Sequence, residues 1–268
     1  MTLTEKRAVV TGGARGIGRA IALAFLREGA SVFITGQTEE SVSKGIEDIK
    51  AEFLKGQHGN GVHIYGAALD VRDQASVEKA LDAAMEQMGE INILVNNAGR
   101  GGGGPTVSTP EKIWFDVIDV NLNGTYRMTR SVLARSGMLK QNWGRIINMA
   151  STGGKQGVQL AAAYTASKHG VVGFSKSLGL ELAKTGVTVN AICPGFVETD
   201  LAKTARDNYA RIWGVDSAEV LRRFEARIPI GRYVRPDEIA PMAVMLASDN
   251  SAAITAQAIN VCGGLGNY

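Results

Sequence analysis

The sequence predicts an α/β protein: a single doubly wound domain over residues 1–268, in which a seven-stranded parallel sheet carries helices on both faces and a helical lid. Three observations lead there. Short apolar runs alternate with longer amphipathic ones along the whole chain, which is the pattern of repeated strand-helix units and a parallel sheet. The spacing of those runs leaves no room for a linker. At 268 residues, 45% hydrophobic and 21% charged, the chain suits one large core, near the size at which single cores stop growing.

Taken in order, the strands fall at Arg7–Val10, Ser31–Thr35, Val62–Ala67, Ile91–Asn96, Arg145–Met149, Thr188–Ile192 and Ala258–Val261. Helices follow at about 17–29, 39–56, 74–88, 110–138, 162–185, 200–225 and 236–247, where the apolar period changes from two to 3.6. The glycine run 101–104 reads as a local loop. Residues 196–232 form the one long segment between strands able to make a lid. No internal repeat is visible.

Composition narrows the function. The formal charge of +3 is mild and not gathered into a run, so nothing points to nucleic acid or a membrane surface as partner. No apolar run approaches the roughly 20 residues that cross a bilayer, and the first residues lead straight into a strand with no charged-then-apolar leader. A soluble, unexported, cytoplasmic protein is expected. Cys193 and Cys262 are too few for a disulfide framework, and with His58, His63 and His169 they show no metal-ligand spacing, so no metal is expected.

The first motif is a phosphate cradle. Thr11-Gly12-Gly13-Ala14-Arg15-Gly16-Ile17-Gly18 follows a strand and opens a helix, and its glycines let the backbone turn tightly beneath a pyrophosphate that faces the helix's positive end. The spacing G-x-x-x-G-x-G differs from the G-x-G-x-x-G dinucleotide fingerprint. After the second strand, Thr35-Gly36-Gln37-Thr38 holds no acid to bind a ribose 2′-hydroxyl, whereas Arg15 inside the loop can reach a 2′-phosphate. This favours NADPH over NADH. Asp70, followed by Val71 beyond the third strand, is placed either to contact adenine or to cap a helix.

The second motif is Ser151, Tyr164 and Lys168. Tyr164 and Lys168 stand four apart on a predicted helix, so both project from one face, and a nearby ammonium is expected to lower the phenol's pKa from about 10 toward that of a working proton donor. Ser151 ends the run Arg145–Ala150, which places its hydroxyl at the carboxyl edge of the sheet, where open parallel sheets bind ligands.

These residues, with Asn96-Asn97-Ala98-Gly99 after the fourth strand, Asn121, and Pro194-Gly195 after the sixth, resemble the short-chain dehydrogenase/reductase family over the whole chain. The resemblance implies a Rossmann-like fold, a nicotinamide cofactor and a tetramer. It implies cofactor contacts from Gly12, Arg15, Gly16, Ile17, Gly18, Gln37, Asp70, Val71, Asn97, Ala98, Gly99, Tyr164, Lys168, Pro194, Gly195, Val197 and Thr199. For Asn121 it implies a water held in a proton relay to Lys168.

A narrower resemblance runs through Ser151-Thr-Gly-Gly-Lys-Gln-Gly-Val158, Cys193-Pro-Gly-Phe-Val-Glu-Thr199, Ile228-Pro-Ile-Gly-Arg-Tyr-Val234 and Asn260-Val-Cys-Gly-Gly-Leu-Gly-Asn-Tyr268. These stretches are similar to the ketoreductases of aromatic (type II) polyketide biosynthesis, of the actinorhodin type. The implied substrate is a poly-β-ketone on an acyl carrier protein. Members often carry Pro-Gly-Gly where this chain has Gly101-Gly102-Gly103, Arg where Gln37 stands and Pro where Ala163 stands.

The implied chemistry puts hydride on a carbonyl carbon while Ser151 and Tyr164 meet the charge growing on its oxygen, Tyr164 delivering the proton and Lys168 also binding the nicotinamide ribose. Substrate contacts are expected from Gly101, Gly102, Gly103, Ser151 and Val158, and from Phe196, Tyr209 and Trp213 in the lid, although their near-helical spacing, shared with Phe224, suits core packing equally. Arg100 is either a contact for the acidic carrier or a solvated loop arginine. Two rivals share parts of this reading: a fatty-acid 3-oxoacyl-carrier-protein reductase and a non-catalytic nucleotide-binding regulator.

Overall fold

In the computed structural model, which describes residues 1–55 and 63–268, seven parallel strands are ordered β3-β2-β1-β4-β5-β6-β7. They are β1 (Arg7–Val10), β2 (Ser31–Gly36), β3 (Ile64–Ala68), β4 (Ile93–Asn96), β5 (Gly144–Met149), β6 (Val187–Pro194) and β7 (Ala258–Val261). The predicted starts of the third strand at Val62 and the predicted helix end at 56 lie outside the described residues, as does His58. β5 and β6 are buried at every position, as strands covered on both faces must be.

The helices are α1 (Gly16–Arg27), α2 (Glu39–Lys55), α3 (Gln74–Met88), α4 (Glu111–Ile118), α5 (Gly124–Arg135), α6 (Met138–Gln141), α7 (Ala162–Glu181), α8 (Asp200–Trp213), α9 (Ser217–Glu225) and α10 (Pro236–Ala247). One core layer joins the sheet to α1, α2 and α10 through Ile21, Phe25, Ile49 and Leu246; the opposite layer joins it to α3, α5 and α7 through Val77, Leu81, Met128 and Leu178. Strand order reverses between β1 and β4, which pair in register at Val10 and Val95. The crevice for a ligand therefore opens beyond those two carboxyl ends.

Two predicted helices are broken. The segment 110–138 is α4, a five-residue π-helical turn over Asp119–Asn123, then α5, with α6 beyond it. The segment 200–225 stops at Gly214, whose φ of 66° ends α8 in the left-handed region, and restarts at Asp216, whose carboxylate accepts from Glu219 N to cap α9. The choice left open at Asp70 also resolves locally: the cap of α3 is Asp73, accepting from Ala75 N and Ser76 N, whereas Asp70 grips Arg72.

Candidate active site

The loop between β1 and α1 is braced by its neighbour after β4. Thr11 Oγ1 accepts from the backbone N–H of both Asn97 and Ala98 at 2.9 Å, and Asn97 Nδ2 donates to the carbonyls of Thr11 and Gly12 at 2.9 and 3.1 Å. Gly12 and Gly16 sit at φ of 63° and 57°, where L side chains are strained, and a Cβ on Gly18 would overlap Asn97 Nδ2 and the Gly12 carbonyl. α1 has no side-chain cap: Arg15 stands at its N-cap and accepts nothing. A glycine-lined bend ending on uncapped helical N–H groups fits a pyrophosphate, and the residues present therefore fit a dinucleotide.

Around this cradle the predicted cofactor residues assemble unevenly. Thr199 lies against Gly16, 3.4 Å from where a Cβ would stand, and caps α8 by accepting from Ala202 N. Gly195 is pinned to the end of β7 by its N–H on the Val261 carbonyl, and Val197 pairs with Val234, so Pro194 to Thr199 form a fixed arch over the loop. Arg15 is exposed and pairs with Asp200 at 3.4 Å. Gln37 is exposed. The acid nearest the β2 end, Glu39, accepts from Ala68 N–H at 3.1 Å through one carboxylate oxygen. Asp70 is held below the usual carboxylate range, chiefly by its hydrogen bond from Arg72, a second cation on this rim that sequence reasoning did not single out.

Ser151, Tyr164 and Lys168 converge beyond β5. Ser151 caps a single 3₁₀ turn (Thr152–Gly154), its Oγ accepting from Gly153 N at 3.0 Å, and the Tyr164 ring lies on the same glycine, 3.5 Å from where a Cβ would stand. Lys168 is buried, donates to the Met149 carbonyl at 2.7 Å, and holds its Nζ 5.8 Å from the Tyr164 ring centre. Gly99 closes the set, since a Cβ there would stand 3.7 Å from Lys168 Nζ and 3.4 Å from Asn121 Oδ1.

The electrostatics correct one expectation. Tyr164 is raised above an ordinary phenol, because burial outweighs its hydrogen bond with Ser151, and Lys168 does not offset it. Burial brings Lys168 itself down to about 8. The lysine, rather than the tyrosine, is the group moved toward neutral pH.

Asn121 sits in the π-helical turn and its amide is committed. Oδ1 accepts from Arg100 N at 2.8 Å, while Nδ2 donates to the Arg100 carbonyl and to Ser167 Oγ, each at 3.0 Å. Both amide protons being used, a water at Asn121 would meet acceptor lone pairs only. Ser167, a partner the sequence analysis passed over, carries its own proton to the Tyr164 carbonyl at 2.7 Å.

The substrate side is bounded by the glycine run and the lid. A Cβ on Gly102 would meet Val117 at 2.6 Å, one on Gly103 would overlap the Leu160 carbonyl, and one on Gly101 would touch Leu201 of α8 at 3.2 Å. Asn208 donates to the Gly103 carbonyl at 3.4 Å, and the Tyr209 hydroxyl bonds the Gln159 carbonyl, so α8 is fastened across both loops. Val158 faces Gly153. The lid aromatics, however, form their own core: Phe196 stacks on Phe224 and Tyr233 at 4.6 and 5.2 Å, and Trp213 packs on Tyr209 and Phe224 at 5.0 and 5.8 Å. Core packing accounts for Phe196 and Trp213, while Tyr209 alone reaches the loop edge. Arg100 is not a lone cation either: it pairs with Asp116 at 3.3 Å, and Lys112 holds the same carboxylate at 2.6 Å.

Glycine loop, Asn-Asn-Ala-Gly brace and the Ser151, Tyr164, Lys168 set now stand in one crevice, and the short chain dehydrogenase family profile matches residues 6–210. The chain belongs to the short-chain dehydrogenase family. It is 50% identical over 267 residues to a Streptomyces coelicolor protein assigned as a ketoacyl reductase, covering 100% of this chain and 99% of that one. A 3-oxoacyl-acyl-carrier-protein reductase of Vibrio harveyi is 40% identical over 265 residues, with 99% of each chain covered. Among solved structures, a point variant of actinorhodin polyketide ketoreductase with NADPH superposes with a TM-score of 0.92 at 49% identity, covering 98% of both chains. In this short-chain dehydrogenase the crevice geometry and the relatives thus agree on a reductase.

Proposed function

We propose that the protein is an NADPH-dependent ketoreductase that reduces a keto group of a polyketide carried on an acyl carrier protein. The observation that carries the chemistry is the convergence of Ser151, Tyr164 and Lys168 beside Gly99, beyond the same sheet edge as the glycine loop. The substrate class rests on the higher identity to the Streptomyces ketoacyl reductase than to the fatty-acid enzyme, 50% against 40%.

Gly12, Gly16, Ile17 and Gly18 hold the pyrophosphate, Arg15 the 2′-phosphate, and Asn97 to Gly99 with Pro194 to Thr199 the nicotinamide half. When bound, NADPH supplies the hydride. The chain supplies the proton and the place for the charge. Ser151 and Tyr164 present hydroxyls to the carbonyl oxygen, and Tyr164, kept protonated by burial, gives its proton as negative charge develops there. Lys168, near 8, refills the phenolate with a proton at little cost. Asn121 holds the Arg100 backbone and Ser167 in place around that lysine and accepts from the water of the relay.

The carrier protein is the macromolecular partner in this reading, and a cytoplasmic homotetramer is its setting. Trp114, Phe115 and Tyr126, exposed by 43, 60 and 51%, give α4 and α5 an apolar face for assembly to cover. No described helix is long and apolar enough to cross a membrane. The test is substrate preference with NADPH: the reading expects turnover of the bicyclic ketone trans-1-decalone and of a carrier-bound polyketide. Activity confined to simple 3-oxoacyl thioesters would assign the fatty-acid role instead, and none on any ketone would point to a nucleotide-binding regulator.

A further inference from the structure

Beyond β7 the chain folds back toward the catalytic serine. Gly263 and Gly264, at φ of 62° and 86°, turn residues 262–268 around, and the Tyr268 hydroxyl donates to the Thr152 carbonyl at 3.1 Å. Lys155, which closes the same 3₁₀ turn, spends all three ammonium protons on this region: the Ala258 carbonyl at 3.2 Å, Asn260 Oδ1 at 3.1 Å and the Tyr268 carbonyl at 3.1 Å. Its Nζ also lies 5.2 Å from the Tyr268 ring centre. Asn260 Nδ2 bonds the Gly266 carbonyl at 3.0 Å and Gly266 N bonds Cys262 Sγ at 3.3 Å, which stiffens the segment from within.

The other side of the segment meets the lid. Ile230 N donates to the Gly263 carbonyl at 3.2 Å, and Leu265 packs into the lid core with Phe196, Tyr209 and Trp213. The proton chemistry described above uses none of these groups.

We infer that residues 262–268 are a strap that sets the Ser151 hydroxyl, with Tyr268 and Lys155 as positioning residues. A lone 3₁₀ turn has poor hydrogen-bond geometry and little cooperativity of its own. Within the turn, Gly154 N bonds the Ser151 carbonyl at 2.8 Å, Lys155 N and Gln156 N bond that of Thr152 at 3.0 and 3.1 Å, and Gly153 N bonds Ser151 Oγ at 3.0 Å. With so few bonds of its own, the turn relies on external ties to hold Ser151 Oγ to its place, and a donor displaced by about 1 Å loses much of its effect on a reaction. The same strap anchors the lid, so the serine and the lid share one support.

The catalytic part of this inference rests on the ketoreductase reading, so the test uses one readout that does not. Tyr268→Phe removes only the hydroxyl. Hydrogen exchange at residues 151–156 should speed up by about fivefold or more, a loss on the order of one hydrogen bond. On trans-1-decalone, kcat should fall by about tenfold while KM and NADPH affinity move less than about twofold, since a misplaced donor is felt in the transition state. Lys155→Met should reproduce the split and Lys155→Arg should restore part of it. Unchanged exchange overturns the strap. Faster exchange with unchanged kcat, or a lowered Tm alone, overturns the positioning role. A wild type inert toward every ketone would instead sink the ketoreductase reading, and exchange would still judge the strap.

Discussion

Replacing Lys168 with Met should weaken catalysis and strengthen the fold. The ammonium is buried, it donates to the Met149 carbonyl, and its pKa falls from 10.5 to about 8. At about 1.36 kcal/mol per pKa unit, keeping it charged in the folded state costs about 3 kcal/mol below pH 8. Methionine keeps the stem and removes the charge; losing the bond to Met149 returns about 1 kcal/mol of that. The sign is set by proton binding. Between about pH 8 and 10.5 the unfolded chain still holds the lysine proton while the folded chain has released it, so wild-type stability rises with pH through that window. The variant lacks this rise.

Urea unfolding of both proteins without cofactor, at fixed concentration from pH 6 to 10, reads the difference directly. The variant should be about 2 kcal/mol the more stable at pH 6, and that lead should disappear by about pH 10. Tyr164, raised by burial, acts above pH 10 and cancels in the comparison. A difference that stays flat with pH would refute the claim that Lys168 titrates near 8 in the folded protein.

Three other outcomes are expected. Arg15→Ala should weaken NADPH by about tenfold or more and leave NADH nearly unchanged, as loss of one charge-assisted contact would, and competition titration with both cofactors checks it. Gly18→Ala, whose Cβ would overlap Asn97 Nδ2 and the Gly12 carbonyl, should destabilise by about 1–3 kcal/mol and cost cofactor affinity, read by Tm with and without NADPH. Arg100→Ala should raise KM for a carrier-bound substrate only modestly and leave free trans-1-decalone unaffected, because Asp116 already pairs with that charge and Lys112 remains beside it as a second cation; a steady-state comparison of the two substrates at low and high salt measures it.

The middle of the sheet was legible because β5 and β6 are short apolar runs buried on both faces, which no surface helix resembles. The lid break was legible in principle, since Gly214 followed by Asp216 is a stop and a start signal, yet the apolar period carries on across it. The π-helical turn was not. Periodicity over 110–138 reads as one helix, and the extra residue per turn shows itself only where Asn121 reaches the Arg100 backbone and Gly124 packs on Val71. Tyr164 and Lys168 were legible in their spacing, Ser151 in its place at a strand end and Asn121 only through the family resemblance, whereas their electrostatics were not, because depth of burial is a tertiary quantity: it turned Tyr164 upward and Lys168 downward. The lid aromatics show the same limit, since helical spacing cannot say whether a ring faces a pocket or its neighbours.

Single-turnover reduction of trans-1-decalone by NADPH, comparing wild type with Tyr164→Phe, tests the central claim most directly. The substitution removes one hydroxyl and keeps the buried ring. The rate should fall by at least about a hundredfold, the low end for general acid catalysis, with NADPH affinity little changed. Equal rates in the two proteins would remove Tyr164 as proton donor and contradict the mechanism.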